Sequence, residues 1–540
     1  MGNLATKKAM CTFCANFCGV LAHIEDGRVV KIEGNPENPL SHGFICERSR
    51  LAIDWLYHPD QLLYPLKRKG KRGEGKWQRI SWDDALGEIG QKLIQLKNEY
   101  GPETLANMNG EDKGNNYWPR GRFLSLFGSP YNTFGHGVMC GTNDMAMNRV
   151  IIGDDSSHSG SIVGANCVVY WGTDPSQSNH RTWATIVQQR KEREIKVIVI
   201  DPRETGTTKI ADIWLQPRPG TDAALALGWL NVIINEELYD KEFVENWTTG
   251  FDQLKERIKE YPPERCAEIT GIPVEKIVES ARVYATTKPA AIAYGVAADH
   301  VGLNGTRAEQ GRVILRAITG NLGVFGGEML LRPGQPINGG KFITEAELTL
   351  LDRIPPEERK KQLGSELARL ISLIGWGMTA EHTERVYGVP APLSHQTQAH
   401  VPMLWRAILS GQPYPIKAMI TWTTNTLFAV GNAKLVYEAL KSDNLELHVV
   451  HDCMMTPTAQ LADYVLPAAS WLERDICTNH GDFASFVFGG EKAVSPLGQR
   501  RDVYQLFRGL GLATGQDEYW PWKTVEEVSN YRLKPTKLTF

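Results

Sequence analysis

Residues Cys11-Thr12-Phe13-Cys14-Ala15-Asn16-Phe17-Cys18 place three thiols within eight positions, and Cys46 adds a fourth after 27 intervening residues. Four soft ligands on one short segment match the Cys₄ ligation of a [4Fe–4S] cluster, whose sequence mark is a run of closely spaced cysteines. A structural zinc site would pair two knuckles such as C-x₂-C with C-x₂-C. Here the second knuckle is missing, because Cys46 stands alone in Phe44-Ile45-Cys46-Glu47-Arg48. The iron–sulfur reading is therefore preferred over zinc or unligated thiols. A cluster implies electron movement.

At 540 residues the chain is too long for one core and is expected to form several domains. Its 42% hydrophobic and 22% charged residues are those of a globular protein, and a net charge of −3 offers no footprint for nucleic acid or anionic lipid. The longest apolar run, Ala223 to Ile234, is interrupted by Gly228 and Asn231 and predicts a buried helix rather than a membrane span. The other cysteines, Cys140, Cys167, Cys266, Cys453 and Cys477, form no disulfide framework. With no signal core or twin-arginine motif at the N-terminus, a cytoplasmic location is expected, although export bound to a signal-bearing partner would leave the same trace.

Working outward, Val20 to Ile24 and Arg28 to Ile32 flank Glu25-Asp26-Gly27 and predict a hairpin in a small β-rich platform. Ser81 is a predicted N-cap with Asp84 as its capping-box partner. Leu86, Ile89, Leu93, Leu96 and Tyr100 follow at helical spacing. From about residue 160 the texture becomes α/β. The strands Asn166 to Gly172 and Lys196 to Ile200, with Ser178 to Glu194 as crossover helix, would direct Gly172 to Asp174 and Asp201 to Arg203 into one crevice. No GxGxxG is present, which argues against a conventional nicotinamide site. Gly220-Thr221-Asp222 precedes another helix, and Pro289 to Gly295 is a third strand. The stretches Thr319 to Gly323 and Phe325 to Gly327 are glycine-rich, a weak signal for a ligand. A charged helix is expected near Pro355 to Leu370. A second α/β signature comprises Ile416 to Trp422, Glu446 to Val450 and Asp463 to Pro467, hinting at a pseudo-repeat with two similar nucleotide-like ligands.

Taken in order, the C-x₂-C-x₃-C…C cluster, Ile198 to Arg203, Arg218 to Leu225, Ile318 to Gly323 with Gly326-Gly327, and Thr458-Ala459 with Ala462 to Pro467 resemble the molybdopterin oxidoreductases, the dimethyl sulfoxide reductase family. Several stretches, Asn231 to Trp247 above all, are most similar to its tungsten-containing acetylene hydratase branch. The resemblance implies a multidomain α/β architecture. Residues 1–60 would hold the cluster, 136–329 a dinucleotide-type pterin-binding domain, and 61–135 with 330–540 a discontinuous second α/β domain. It also implies one Mo or W ion held by two pterin guanine dinucleotides, with Cys140 as the protein ligand to the metal and Cys11, Cys14, Cys18 and Cys46 as cluster ligands. A soft thiolate suits a sulfur-rich metal centre. Arg48 matches the basic residue that lies between cluster and pterin in the family, and His136 is a candidate proton-transfer group.

The cofactor contacts implied are Gly172, Asp174, Asp201, Arg203, Gly220 and Asp222 on one side, and Asn425, Asp452, Thr458 and Asp463 near the other. Asp201 is the better candidate for guanine, because a carboxylate can accept both N1–H and N2–H; Asp463 reads equally as a structural cap. Two departures accompany the resemblance. The chain stops at Phe540, before the C-terminal β-barrel domain that covers the pterins in the family, which implies a separate small subunit or a truncated chain. Alkyne hydration in the hydratase branch uses an acid directly after the second cluster cysteine, and here that residue is Ala15. Nor does Cys140 have the adjacent His of formate dehydrogenases; Gly141 is there instead. The expected activity is therefore that of a catalytic oxidoreductase subunit acting on a small molecule, with an iron–sulfur electron-transfer subunit as a further expected partner. A non-redox lyase, or a cofactor-holding subunit active only with its partner, is the alternative.

Overall fold

The computed structural model describes residues 4–111, 113–114, 117–135, 142–152, 162–296, 298, 304–330, 336–388, 397–479 and 486–540. Cys140 and His136 lie outside them. The chain divides into two compact units, Met1–Val138 with Pro333–Phe540, and Met139–Arg332.

The first unit begins with an antiparallel sheet of β1 (Leu4–Met10), β2 (Gly19–Glu25) and β3 (Arg28–Gly34). Asp26 and Gly27 have φ of 50° and 79°. A two-residue turn with both central residues left-handed matches the twist of the flanking strands, so the hairpin expected from Glu25-Asp26-Gly27 forms. Val20, Ala22, Ile24, Val29 and Ile32 turn their side chains into a core shared with Leu56, Trp471, Leu472 and Ile476. This is the small β-rich domain anticipated from the sequence.

The same unit continues with β4 (Leu66–Arg68), β5 (Trp77–Arg79), β6 (Leu105–Asn109) and β7 (Thr133–Gly135). Between β5 and β6 runs the helix Trp82–Tyr100. Ser81 caps it, accepting from the Asp84 N–H at 3.0 Å and donating its hydroxyl to the Asp84 carboxylate at 2.6 Å. Leu86, Ile89, Leu93 and Leu96 are buried on one face, as their spacing predicts.

The second unit contains β8 (Cys167–Trp171), β9 (Lys196–Ile200), β10 (Ile213–Leu215) and β11 (Ala290–Tyr294), all parallel in the order β10-β9-β8-β11. Alternate residues feed opposite faces. Cys167, Val169 and Trp171 pack with helices Asp222–Asn235 and Val274–Thr286, while Val168 and Tyr170 pack with helix His180–Glu192. Burial on both faces explains why these strands read as continuous apolar runs rather than alternating ones.

Back in the first unit, β12 (Ala418–Trp422), β13 (Leu447–Asp452) and β14 (Tyr464–Pro467) complete a seven-stranded sheet of order β5-β4-β14-β13-β12-β6-β7. The five strands from β14 to β7 are parallel, and β4 and β5 add an antiparallel edge. Helices Trp82–Tyr100 and Val503–Ala513 lie on one face, and Val401–Ser410 and Ala433–Lys441 on the other. A short pair, β15 (Ile476–Thr478) and β16 (Phe488–Gly490), closes the strand set among the described residues.

The charged helix expected over Pro355 to Leu370 is confined to Pro356–Lys360. Beyond it the buried Gln362 donates to the Tyr131 carbonyl and accepts from the Leu373 N–H, and Gly364 takes φ 77°. These tertiary contacts override the local helical preference.

Candidate functional site

The cysteine segment is the connection between β1 and β2, pinched where the Cys11 N–H donates to the Cys18 carbonyl at 3.0 Å, directly beyond the last strand pair Met10 and Gly19. Cys46 is the N-cap of the short helix Glu47–Arg50. All four thiols are free of disulfides; Cys11 and Cys18 are buried, Cys14 and Cys46 half-buried. Burial raises the pKa of the Cys11 thiol, opposed by the Ser49 hydroxyl that donates to its sulfur at 3.2 Å and reinforced by the neighbouring Cys14 and Cys46. Mutually destabilising thiolates are what a cationic iron–sulfur core would offset, so this donor set fits the group. Among the described residues no group of three or more His, Cys, Asp or Glu side chains is arranged to hold a single metal ion. Arg48 is exposed on the helix after Cys46, and Ala15, beside Cys14, is exposed with no group able to donate a proton.

In the second unit, the carboxyl ends of β8, β9 and β11 open into a cavity of about 610 Å³ lined by Gly172, Asp174, Gln177, Arg203, Lys209 and Gly295 among others. A Cβ at Gly172, where φ is 64°, would stand 2.8 Å from the Ala298 Cβ, and one at Gly295 would stand 2.0 Å from the Gly172 carbonyl oxygen. These glycines let two strand ends meet closely. The Asp174 carboxylate accepts from the hydroxyls of Ser176 at 2.6 Å and Thr207 at 2.5 Å. Asp201, buried at the end of β9, accepts the Arg203 N–H at 2.8 Å. Gly172, Asp174 and Arg203 thus share one cavity, and Asp201 sits at its floor strand without lining it. Gly220 and Asp222 do not line it; Asp222 opens a helix and accepts the Trp171 indole N–H at 2.7 Å.

The first unit repeats this arrangement. Beyond β12, Thr423 takes the same left-handed conformation as Gly172, with φ 53°. Two residues later Asn425 accepts from the Thr458 hydroxyl at 2.8 Å, as Asp174 does from Thr207. Asp452 ends β13 as Asp201 follows β9, and each is six residues before its threonine and eleven before a second aspartate, Asp463 or Asp212. Burial pushes the Asp452 carboxyl up to about 6, against the Met454 and Cys453 N–H groups that favour its charged form.

Asn425, Asp452 and Thr458 gather at the carboxyl ends of β12 and β13, but Asp463 does not join them. It precedes β14 opposite His448, four residues before Asp452 and so roughly 13 Å away along the sheet. Its carboxylate is held by Arg68, Arg72 and the His448 N–H. Sequence reasoning missed Thr207, Lys209, Gly295 and Asp212. The signal for two of them was present, since the spacing Asp-x₅-Thr-x₄-Asp occurs in both halves, at 201–212 and 452–463.

Comparison with known proteins agrees with this geometry. Residues 4–58 match the molybdopterin oxidoreductase Fe4S4 domain and residues 62–512 the molybdopterin oxidoreductase family. The chain is 39% identical to acetylene hydratase of Syntrophotalea acetylenica across 99% of its own length and 72% of the relative's. It is 28% identical to the thiosulfate reductase molybdopterin-containing subunit of Salmonella typhimurium, over 98% of this chain and 67% of that one. The solved structure of acetylene hydratase from Pelobacter acetylenicus superposes with a TM-score of 0.91 at 38% identity, covering 99% of this chain and 72% of that one. No helix among the described residues is long and apolar enough to cross a membrane. With its cysteine loop and its paired α/β sheets, this chain belongs to the molybdopterin oxidoreductase family, enzymes built around a [4Fe–4S] cluster and a molybdopterin-type cofactor carrying molybdenum or tungsten.

Proposed function

We propose that this chain is the catalytic subunit of a molybdenum- or tungsten-dependent oxidoreductase that holds two pterin guanine dinucleotides, one on each of its doubly wound sheets. The observation that carries the reading is the repeated strand-end apparatus, Asp174–Thr207 with Asp201 and Asn425–Thr458 with Asp452. Two matching crevices suit two ligands of one kind. When bound, the metal–pterin group supplies the redox chemistry. The protein's own residues hold and tune it. Cys140 offers a soft thiolate, His136 a site for proton transfer, and Asp201 an acceptor for the guanine N1–H and N2–H. Gly172, Asp174 and Arg203 serve the ligand of the second unit from within the crevice, and Gly220 and Asp222 serve it from outside that cavity's lining. In the first unit Asn425, Asp452 and Thr458 serve the other, and Asp463 holds the strand beneath them. Cys11, Cys14, Cys18 and Cys46 carry the cluster, and Arg48 favours electron exchange by stabilising negative charge beside it. A relative is itself named as a subunit, and an assembly with a small subunit and an iron–sulfur electron-transfer partner fits this role.

A second reading, water addition without net redox change, is favoured by the likeness to acetylene hydratase. The methyl of Ala15 stands against it, because it supplies no proton beside Cys14. The test is Fe, Mo, W and Zn content per chain after anaerobic purification from the native source, followed by turnover with and without an electron acceptor. About four irons with Mo or W, and turnover only with the acceptor, are expected. Acceptor-independent hydration would establish the second reading, and zinc in place of iron would remove both.

A further inference from the structure

Helix Glu47–Arg50 starts at one cysteine of the cluster set and turns a side chain onto another. Its first turn, closed by the Ser49 N–H donating to the Cys46 carbonyl at 3.1 Å, carries Ser49 round to the Cys11 segment. There the Ser49 hydroxyl donates to the Cys11 sulfur at 3.2 Å, across 38 positions of sequence. A helical serine commonly gives its hydroxyl to a carbonyl one turn earlier; here, among the described residues, it is given to sulfur. Both groups are sealed from water, with Ser49 1% exposed and Cys11 5%. They lie in the apolar core that also holds Phe17, Ala52 and Leu56. Cys14 and Cys46 are half-buried and partly open to solvent donors, whereas Cys11 depends on what the protein supplies. The charges flanking Ser49 do not replace it. Glu47 and Arg50 pair with each other at 3.3 Å on the exposed side of the helix, where water screens them.

We infer that Ser49 sets the reduction potential of the iron–sulfur cluster, holding it up by donating its hydroxyl to the Cys11 sulfur. Reduction adds a negative charge that spreads onto the ligand sulfurs, and hydrogen bonds to those sulfurs are among the levers that fix such potentials. A donor aimed at Cys11 stabilises the electron-rich state more than the oxidised one, so the potential rises. Away from water the hydroxyl dipole acts in a low dielectric, where its effect is larger than at the surface. Ser49 acts through a ligand and is a positioning residue, not a catalytic one. The inference rests on the assignment of Cys11 as a cluster ligand in the proposed function.

The test is a redox titration of the cluster, followed by electron paramagnetic resonance, in the anaerobically purified full chain and its Ser49→Ala and Ser49→Thr variants. Ser49→Ala should keep about four irons and titrate at lower potential. Its ratio of reduced to oxidised cluster at a fixed potential should fall about tenfold, which is about 59 mV for a one-electron couple. Ser49→Thr keeps a hydroxyl and should titrate near the native value. Electron–nuclear double resonance after transfer to heavy water should show one exchangeable coupling fewer in Ser49→Ala than in the native protein. A native potential or an unchanged set of couplings in Ser49→Ala would overturn the inference. So would equal shifts in Ser49→Ala and Ser49→Thr, which would make bulk the cause, or loss of iron from Ser49→Ala, which would make Ser49 a brace for the loop. Cys11→Ala separates this from the underlying assignment. If it retains all its iron, Cys11 is not a ligand and that assignment has failed; if it loses iron while Ser49→Ala titrates as native, only the tuning role has failed.

Discussion

Asp212 and Asp463 hold the same post in two different sheets. Each donates its N–H to the carbonyl of a residue early in the neighbouring strand, Val197 or His448, at 2.8 Å, and each accepts that residue's N–H on its carboxylate at 2.7 Å. The closed pair clamps the amino end of β10 to β9 and of β14 to β13, which sets the register that delivers Asp201 and Asp452 to the opposite edge.

The two clamps differ in burial. Asp463 is 11% exposed at its side chain and paired with Arg68 and Arg72, whereas Asp212 is 32% exposed and paired with Arg190. Burial alone would raise the Asp463 pKa, but Arg72, Arg68 and the His448 N–H overcome it and the pKa falls. Its stabilisation is therefore complete above the unfolded-state carboxylate range and lost as pH falls through the depressed folded value. Asp463→Ala should cost about 3 kcal/mol and Asp212→Ala about 1 kcal/mol in denaturant unfolding at pH 7.

Thr423 occupies a conformation that Gly172 adopts without penalty. A β-branched residue at φ 53° carries about 1–2 kcal/mol of strain. Thr423→Gly should raise the free energy of unfolding, measured in denaturant, by an amount near the lower end of that range. Gly172→Thr should lower it, because its Cβ would press on Ala298.

Replacing Cys11 or Cys46 by serine should remove the cluster, with iron falling from about four per chain to below about one. Cys266→Ser should leave the iron content unchanged, since that thiol is buried beneath helix Asp222–Asn235. Iron analysis after anaerobic purification decides it.

Asp452 ionises reluctantly, its pKa pushed up to about 6 by burial. Above the unfolded value near 3.9 the unfolded chain gives up this proton first, so the folded state loses stability as pH rises from about 4 to 6, by up to about 3 kcal/mol. Asp452→Asn should be more stable than the native chain at pH 7.5, with the difference shrinking toward zero by pH 4.5, as measured by thermal unfolding.

Arg48 is exposed and contributes little to packing. Arg48→Ala should keep the native iron content and melting temperature. Acceptor-linked turnover should fall about tenfold if the guanidinium lowers the electron-transfer barrier by about 1.4 kcal/mol. Stopped-flow reduction of the cluster would distinguish this from slower substrate binding.

Local chemistry made much of this protein legible from its sequence. The cysteine spacing, the Asp26-Gly27 turn, the Ser81 cap and the apolar runs of β8, β9, β12 and β13 each state their structure within a few residues, because ligation, turn geometry, capping and double-sided burial are short-range demands. What tertiary structure alone decided is how distant residues meet. Sequence grouped Asp463 with the crevice residues, but the register of β14 on β13 carries it to the far edge, where Arg68 and Arg72 arrive from almost 400 positions earlier. Nor could local pattern pair Asp174 with Thr207, since that contact depends on which strand lies beside which. Periodicity reports that a face is buried; only the folded chain determines what it is buried against.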